Sequence, residues 1–160
     1  MPVEVIETLA PLVVRRRELR TDSGGPGTFR GGLGQIMEVE VLTDEPYLFS
    51  GLYERTKFPA PGLEGGKDGQ PGRLDTDNGT DLEPKITRVL PADTVVTLEM
   101  PGGGGFASPL ERAPARVLDD VRNGYVTAEA AKADYGVVVD TANWRIDEAA
   151  TRKLRQDAAE

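Results

Sequence analysis

The sequence predicts an α+β protein: a β-rich body, sandwich- or barrel-like with long Gly-rich loops, followed by a small helical C-terminal tail. Three observations carry that expectation. Residues 35–42 and 94–100 alternate apolar and polar positions with the two-residue period of a half-buried strand. Three glycine-dense segments, at residues 22–34, 62–69 and 101–106, are framed by segments of ordered character. Glycine at such density is kept where the chain needs positive φ or close backbone approach, so these are shaped turns rather than linkers. Beyond Pro109 the pattern changes to short runs bounded by helix start and stop signals.

Taken in order, residues 3–20 carry no helical stripe, and Val13, Val14 and Leu19 suggest extended chain. In residues 35–42, Met37, Val39 and Val41 face one way and Glu38 and Glu40 the other. Asp44-Glu45-Pro46 reads as a turn, and residues 47–53 are aromatic and apolar enough for a second strand. Residues 56–84, dominated by Gly, Pro, Asp and Asn, form a long excursion with little regular structure; such loops are usually functional or wrap a neighbour. Residues 85–90 read as a short strand and Pro91-Ala92-Asp93 as a turn. Residues 94–100 place Val95, Thr97 and Glu99 on one face and Val96, Leu98 and Met100 on the other.

Pro114 suits the first turn of a helix running to Arg122, stopped by Asn123-Gly124. Thr127 caps a helix over 128–135 that Gly136 closes, Val137 to Val139 form a short apolar strand, and Asp147 caps a final helix over about 148–156. The expected division is a β-rich body over 1–108 and a helical appendage over 109–160.

Composition narrows the function. With 160 residues the chain fits one domain and is long enough to bury a core. Only 38% of residues are hydrophobic, and there are 19 glycines and 12 prolines; this marks a loop-rich β protein or a piece that borrows part of its core from a partner. A net charge of −8 with no broad basic stripe argues against nucleic acid. The one basic cluster, Arg15-Arg16-Arg17 with Arg20, would alternate faces on a strand, so it reads as a solvated strand or a set of ion pairs. The chain has no cysteine, which excludes disulfides and thiolate chemistry, and no histidine, the commonest general base and transition-metal ligand. No apolar run approaches the ~20 residues of a membrane helix, and no secretory pattern opens the chain. The expected location is the cytoplasm, with no membrane or nucleic-acid partner.

Several motifs imitate chemistry. Gly65-Gly66-Lys67-Asp68 invites a phosphate-loop reading, but Pro61 stands where the first glycine belongs and Asp68 replaces the Mg²⁺-binding hydroxyl. Arg30, beside Gly31-Gly32, would suit an anion cradled by backbone amides; the plainer reading is a turn in which Arg30 pairs with Asp22. Asp75, Asp77, Asn78 and Asp81 imitate a calcium loop without its helices or terminal glutamate. Ser23 lacks both the nucleophile-elbow pattern and a histidine to activate it. No catalytic, cofactor or metal residues are assigned; Asp22, Ser23, Arg30 and Lys67 remain as interface or anion-contacting candidates.

The run Leu19-Arg20-Thr21-Asp22-Ser23-Gly24-Gly25-Pro26-Gly27, with Phe29-Arg30-Gly31-Gly32-Leu33-Gly34, resembles the hydantoinase B family. So do Pro101-Gly102-Gly103-Gly104-Gly105-Phe106 with Pro109-Leu110-Glu111-Arg112, and Asp120-Val121-Arg122-Asn123-Gly124-Tyr125-Val126 with Tyr135-Gly136-Val137-Val138. The resemblance covers most of residues 2–139. It implies membership of a group containing the B half of ATP-dependent hydantoinases and 5-oxoprolinases and a large subunit of acetone and acetophenone carboxylases. Such enzymes pair an ATP-binding A-type half with a B-type half, and open cyclic amides or carboxylate ketones through phosphorylated intermediates.

Members of that group are several times longer, with these motifs at their C-terminal end and their metal-binding and most catalytic residues in the part this chain lacks. Met1 stands directly before Pro2-Val3-Glu4-Val5-Ile6-Glu7, a stretch that follows a long preceding region in the family. The expectation is therefore a split-off C-terminal domain acting as a separate small subunit, with a fragment of a longer protein as the alternative. It would be structural or site-completing rather than catalytic alone, bound to larger hydantoinase A-type and B-type subunits that carry ATP and a divalent metal. Split organisation tilts the reaction toward ketone carboxylation, with a cyclic amide hydrolase as the alternative. Two further readings stay open: an autonomous hydrolase using Asp22 with Asp68 or Asp93, and a free-standing anion-binding module at Arg30.

Overall fold

The computed structural model describes residues 2–158. In chain order its elements are α1 (Val3–Leu9), β1 (Leu12–Leu19), β2 (Gln35–Val41), β3 (Tyr47–Leu52), β4 (Arg73–Thr76), β5 (Lys85–Leu90), β6 (Val95–Glu99), a 3₁₀ turn (Pro109–Glu111), α2 (Pro114–Arg122), α3 (Ala128–Tyr135), β7 (Val139–Asp140), β8 (Arg145–Ile146) and α4 (Glu148–Asp157). The fold is α+β, as the sequence predicts. No helix of the described residues is long and apolar enough to cross a membrane.

The sheets are open and antiparallel. One has four strands in the order β1-β2-β6-β4, and β3 pairs with β5 in a second. Register explains which face is buried. Val14, Val39, Val96 and Thr76 lie across one another, as do Met37, Leu98 and Leu74, giving an apolar row on one face of the larger sheet. That row meets Tyr47, Phe49, Ile86 and Leu90 of the smaller sheet in a core built around Leu82, Leu90 and Val96. The body is thus two sheets sharing one core, not a closed barrel.

The opposite face of the larger sheet is charged. Arg16 pairs with Glu38, and Arg15 with Glu40 at 2.7 Å. Alternation would put these neighbouring arginines on opposite faces; a register shift between Val14 and Arg16 instead lets both reach the glutamate row.

A second core lies in the C-terminal segment, where Val117, Val121, Val126, Ala131, Tyr135 and Val137 pack together. Its helices start and stop where the sequence places them. The Thr127 hydroxyl accepts from the Ala130 amide at 3.1 Å and Gly136 ends α3 in the left-handed region at φ +61°. The Asp147 carboxylate accepts from the Ala150 amide at 3.0 Å. Buried Thr151 ties α4 inward by accepting from the Val138 amide at 3.0 Å.

Three elements depart from the sequence reading. Residues 3–9 are helical rather than extended: Val3, Ile6 and Ala10 stand at helical spacing and are half-buried. β4 runs inside the long excursion, because Leu74 and Thr76 complete the apolar row beside β6. The short strand after α3 is Val139–Asp140 paired with Arg145–Ile146, while Val137 is wholly buried among helices.

Candidate functional site

The three glycine segments, far apart in sequence, come together as one layer of interlocked backbone. The Gly25 amide donates to Gly103 O (2.8 Å), the Gly103 amide to Gly32 O (2.9 Å) and the Gly31 amide to Gly25 O (2.9 Å). The middle segment closes the layer: the Lys67 amide donates to Pro26 O (2.7 Å), Gly105 to Lys67 O (2.9 Å) and Leu63 to Gly105 O (2.9 Å). At most of these glycines a side chain is excluded by proximity rather than by φ; Gly65 instead sits at φ +90°, and Gly32 has open space around it. A Cβ on Gly102 would lie 1.7 Å from Ser23 O, and one on Gly31 would lie 2.1 Å from Gly103 O, both backbone atoms that cannot swing away. The amides of Gly25, Gly31, Lys67, Gly103 and Gly105 are thus bonded to carbonyls within the layer.

Each candidate side chain belongs to this layer or to its seam with the helices. Ser23 is fully buried; its hydroxyl donates to Arg20 O (2.5 Å) and accepts from the Gly34 amide (2.8 Å). Asp22, at φ +59°, accepts from the Thr127 amide (2.8 Å), so it joins the first glycine segment to the cap of α3. The Lys67 ammonium pairs with Asp134 of α3 at 2.7 Å, half-exposed. Arg30 does not pair with Asp22. It lies 3.4 Å from the Asp120 carboxylate and 5.4 Å from the centre of the Tyr125 ring, and donates to Gly31 O at 2.8 Å.

The Arg30 contact belongs to a buried cluster that the sequence reading missed. Asp120, on the inner face of α2, accepts from Arg112 through Nε (3.1 Å) and Nη2 (2.9 Å), while Arg112 Nη1 donates to Thr28 O (2.9 Å). Two guanidinium groups thus share one carboxylate, and the Tyr125 face offsets part of the excess positive charge. Arg30 Nε is close enough for an ion pair but not aligned for a hydrogen bond, and the neighbouring Tyr135 hydroxyl also lacks a partner. Burial pushes the Tyr135 phenol up to about 12. Arg155 completes the seam by donating to Tyr135 O (3.1 Å) and Arg112 O (2.8 Å). The clue in the sequence is Asp120 itself, an acidic residue between Val117 and Val121 on an apolar stripe.

The remaining carboxylates serve turns. Asp68 accepts from the Gly62 amide (2.9 Å) and Asp77 from the Val95 amide (2.9 Å). Asn78 bonds Thr94 and Thr80, and Asp75 pairs with Arg73. Asp93 sits at φ +61° in the turn before β6. An open cleft of about 690 Å³, lined by Tyr53, Arg55, Phe58, Glu83 and Lys85 among others, contains none of the four candidate residues. Beside exposed Glu64, Lys67 and Asp68, the glycine segments also present three large apolar side chains outward: Phe29, Leu63 and Phe106.

Comparison with known proteins gives this architecture a context. The family model described as hydantoinase B/oxoprolinase matches residues 1–109. The B-type component of a putative D-/L-hydantoinase from Pseudomonas sp. (strain NS671) is 38% identical over 161 residues, covering 97% of this chain and 27% of that protein. The crystal structure of the ATP-dependent caprolactamase from Pseudomonas jessenii superposes with a TM-score of 0.82 at 38% identity, covering 97% of this chain and 28% of that one. The acetone carboxylase alpha subunit of Xanthobacter autotrophicus is 28% identical over 193 residues, covering 96% and 25%. The chain thus spans between a quarter and 28% of the length of these relatives.

Proposed function

This chain belongs to the hydantoinase B/oxoprolinase family, and on that premise we propose that it is a small structural or site-completing subunit of an ATP-dependent multi-subunit enzyme. ATP and a divalent metal bind to larger A-type and B-type partner subunits, and the complex works in the cytoplasm. The observation that carries this reading is how the candidate side chains are used. The Ser23 hydroxyl is closed between Arg20 and Gly34, Asp22 accepts from the amide of Thr127, the cap of α3, and Arg30 and Lys67 pair with Asp120 and Asp134. A nucleophile must be reachable by substrate, and Ser23 is fully buried; Arg30 and Lys67 are held in ion pairs, so these residues tie the glycine layer to the helices.

The reaction of the complex is opening of a cyclic amide, with ketone carboxylation second. Split organisation favours the second. The preference for the first rests on the 38% identity to the hydantoinase and caprolactamase relatives against 28% for the acetone carboxylase relative.

The test is a pair of assays. The isolated chain is expected to show no ATP-dependent turnover of hydantoin or caprolactam and no ATP- and bicarbonate-dependent carboxylation of acetone. The assembly recovered with it from the native host by mild affinity purification is expected to catalyse one of them. Turnover by the isolated chain would overturn the reading and return attention to its carboxylates.

A further inference from the structure

We propose that Phe29, Leu63 and Phe106 form the docking surface for hydantoinase B polypeptide corresponding to the roughly three quarters of the relatives' length outside the matched region. The proposal rests on the subunit reading above. Each glycine segment contributes one large apolar side chain, and backbone pairing places the three together. Phe29 bridges Phe106 antiparallel and Leu63 bridges Phe106 parallel, with Phe29 N–Phe106 O at 3.1 Å and Phe106 N–Phe29 O at 3.0 Å. The two rings lie 6.2 Å apart, tilted by 49°. Phe29 is 66% exposed, Leu63 62% and Phe106 47%.

Scattered exposed apolar residues need no explanation, but a cluster of three with two aromatics is the composition of an interface core. The support beneath it strengthens the case. The surrounding chain is largely glycine held by backbone hydrogen bonds, so the patch is fixed before a partner arrives and little order is lost on binding.

The occupant follows from two facts. The caprolactamase structure keeps this fold within a chain of which it forms 28%, so the fold is one that lives against further polypeptide of its own family. Two carboxylates stand beside the patch, and Lys67 of the middle segment is neutralised by Asp134: Glu64 follows Leu63 directly, and Glu111 reaches Thr28 Oγ1, next to Phe29, at 3.4 Å. A second copy, each with a net charge of −8, would set like charges around the contact. The partner surface is therefore apolar with a basic rim.

The experiment uses the whole chain, affinity-tagged in its native host, as wild type and as two triple variants. One is Phe29→Ser/Leu63→Ser/Phe106→Ser; the other is Leu48→Ser/Leu52→Ser/Val89→Ser, on the exposed face of the β3–β5 sheet. The single variants Phe29→Ser and Phe106→Ser guard against a fold defect, and melting curves of all variants are compared with wild type. The expected result is recovery, by mass spectrometry, of a chain carrying that hydantoinase B portion with wild type. That recovery should fall at least about thirtyfold for the first triple variant, fall in part for the single variants, and hold for the second triple variant.

Loss with the second triple variant but not the first would overturn the docking surface and leave the subunit reading standing. A wild-type dimer by light scattering that the first triple variant abolishes would assign the patch to self-association instead. Wild type recovered alone would sink both readings.

Discussion

The glycine layer and the C-terminal helical segment are two different ways of making a protein solid. In the helical segment, Val117, Ala131, Tyr135 and Val137 are wholly or almost wholly buried, and stability comes from apolar side chains removed from water. In the glycine layer there are almost no side chains to bury. Backbone meets backbone at hydrogen-bond distance, and the large apolar side chains point out to solvent. The first kind of packing degrades gradually, because a smaller side chain leaves a void that neighbours partly fill. The second has no such reserve, since its contacts are between atoms fixed by the chain itself. An irregular segment can thus be the least forgiving part of a molecule.

That contrast is open to direct attack. Gly102→Ala is expected to have the largest effect, because its methyl carbon would overlap Ser23 O at 1.7 Å. A loss above about 4 kcal/mol, read from chemical denaturation, is the expectation. Gly32→Ala, with nothing within 4 Å, should change stability by less than about 1 kcal/mol, and equal losses at the two sites would break the proximity argument. Asp120→Ala, which strands Arg30 and Arg112 at the seam, should cost about 3 kcal/mol. A negligible cost would show that the two regions are not coupled through this cluster. Val117→Ala, inside the helical core, should cost about 2 kcal/mol, the milder outcome that side-chain packing allows.

The smallest effect concerns Tyr135. Its folded-state value of about 12 lies above the ordinary phenol value of 10.0, so folding favours the neutral ring. Stability should be flat with respect to this group below pH 10 and fall as pH rises from 10 toward 12. Tyr135→Phe should leave stability within about 1 kcal/mol at neutral pH, since the hydroxyl has no partner, and should remove that alkaline decline. A decline that persists unchanged in Tyr135→Phe would assign it to other groups.

Much of this was legible in the chain. Caps are local chemistry, so Thr127, Gly136 and Asp147 announced their helices within a few residues. Alternation gave β2 and β6, and the ordered set of glycine motifs gave the family. α1 was missed because Val3, Ile6 and Ala10 form too short a stripe beside charged neighbours. β4 was missed because two inward residues among Gly, Pro and Asp make no visible period. Among the candidate residues, the local pairing of Arg30 with Asp22 does not form. Arg30 finds Asp120 and Asp22 finds Thr127 across about a hundred residues or nearly so, and no local pattern encodes such pairings. Glycine density signalled close approach without saying to what.

The interlocked amides carry a consequence in time rather than in energy. Solvent deuterons reach a backbone amide only when its hydrogen bond opens, so exchange is ordinarily slow in helices and strands and fast in loops. Here Gly25, Gly31, Lys67, Gly103 and Gly105 lie outside the named helices and strands, yet each donates inside the layer. None can open without displacing the segment it leans on. A clock set by deuterium uptake would therefore run slow in the stretches that look, by composition, like the loosest parts of the chain.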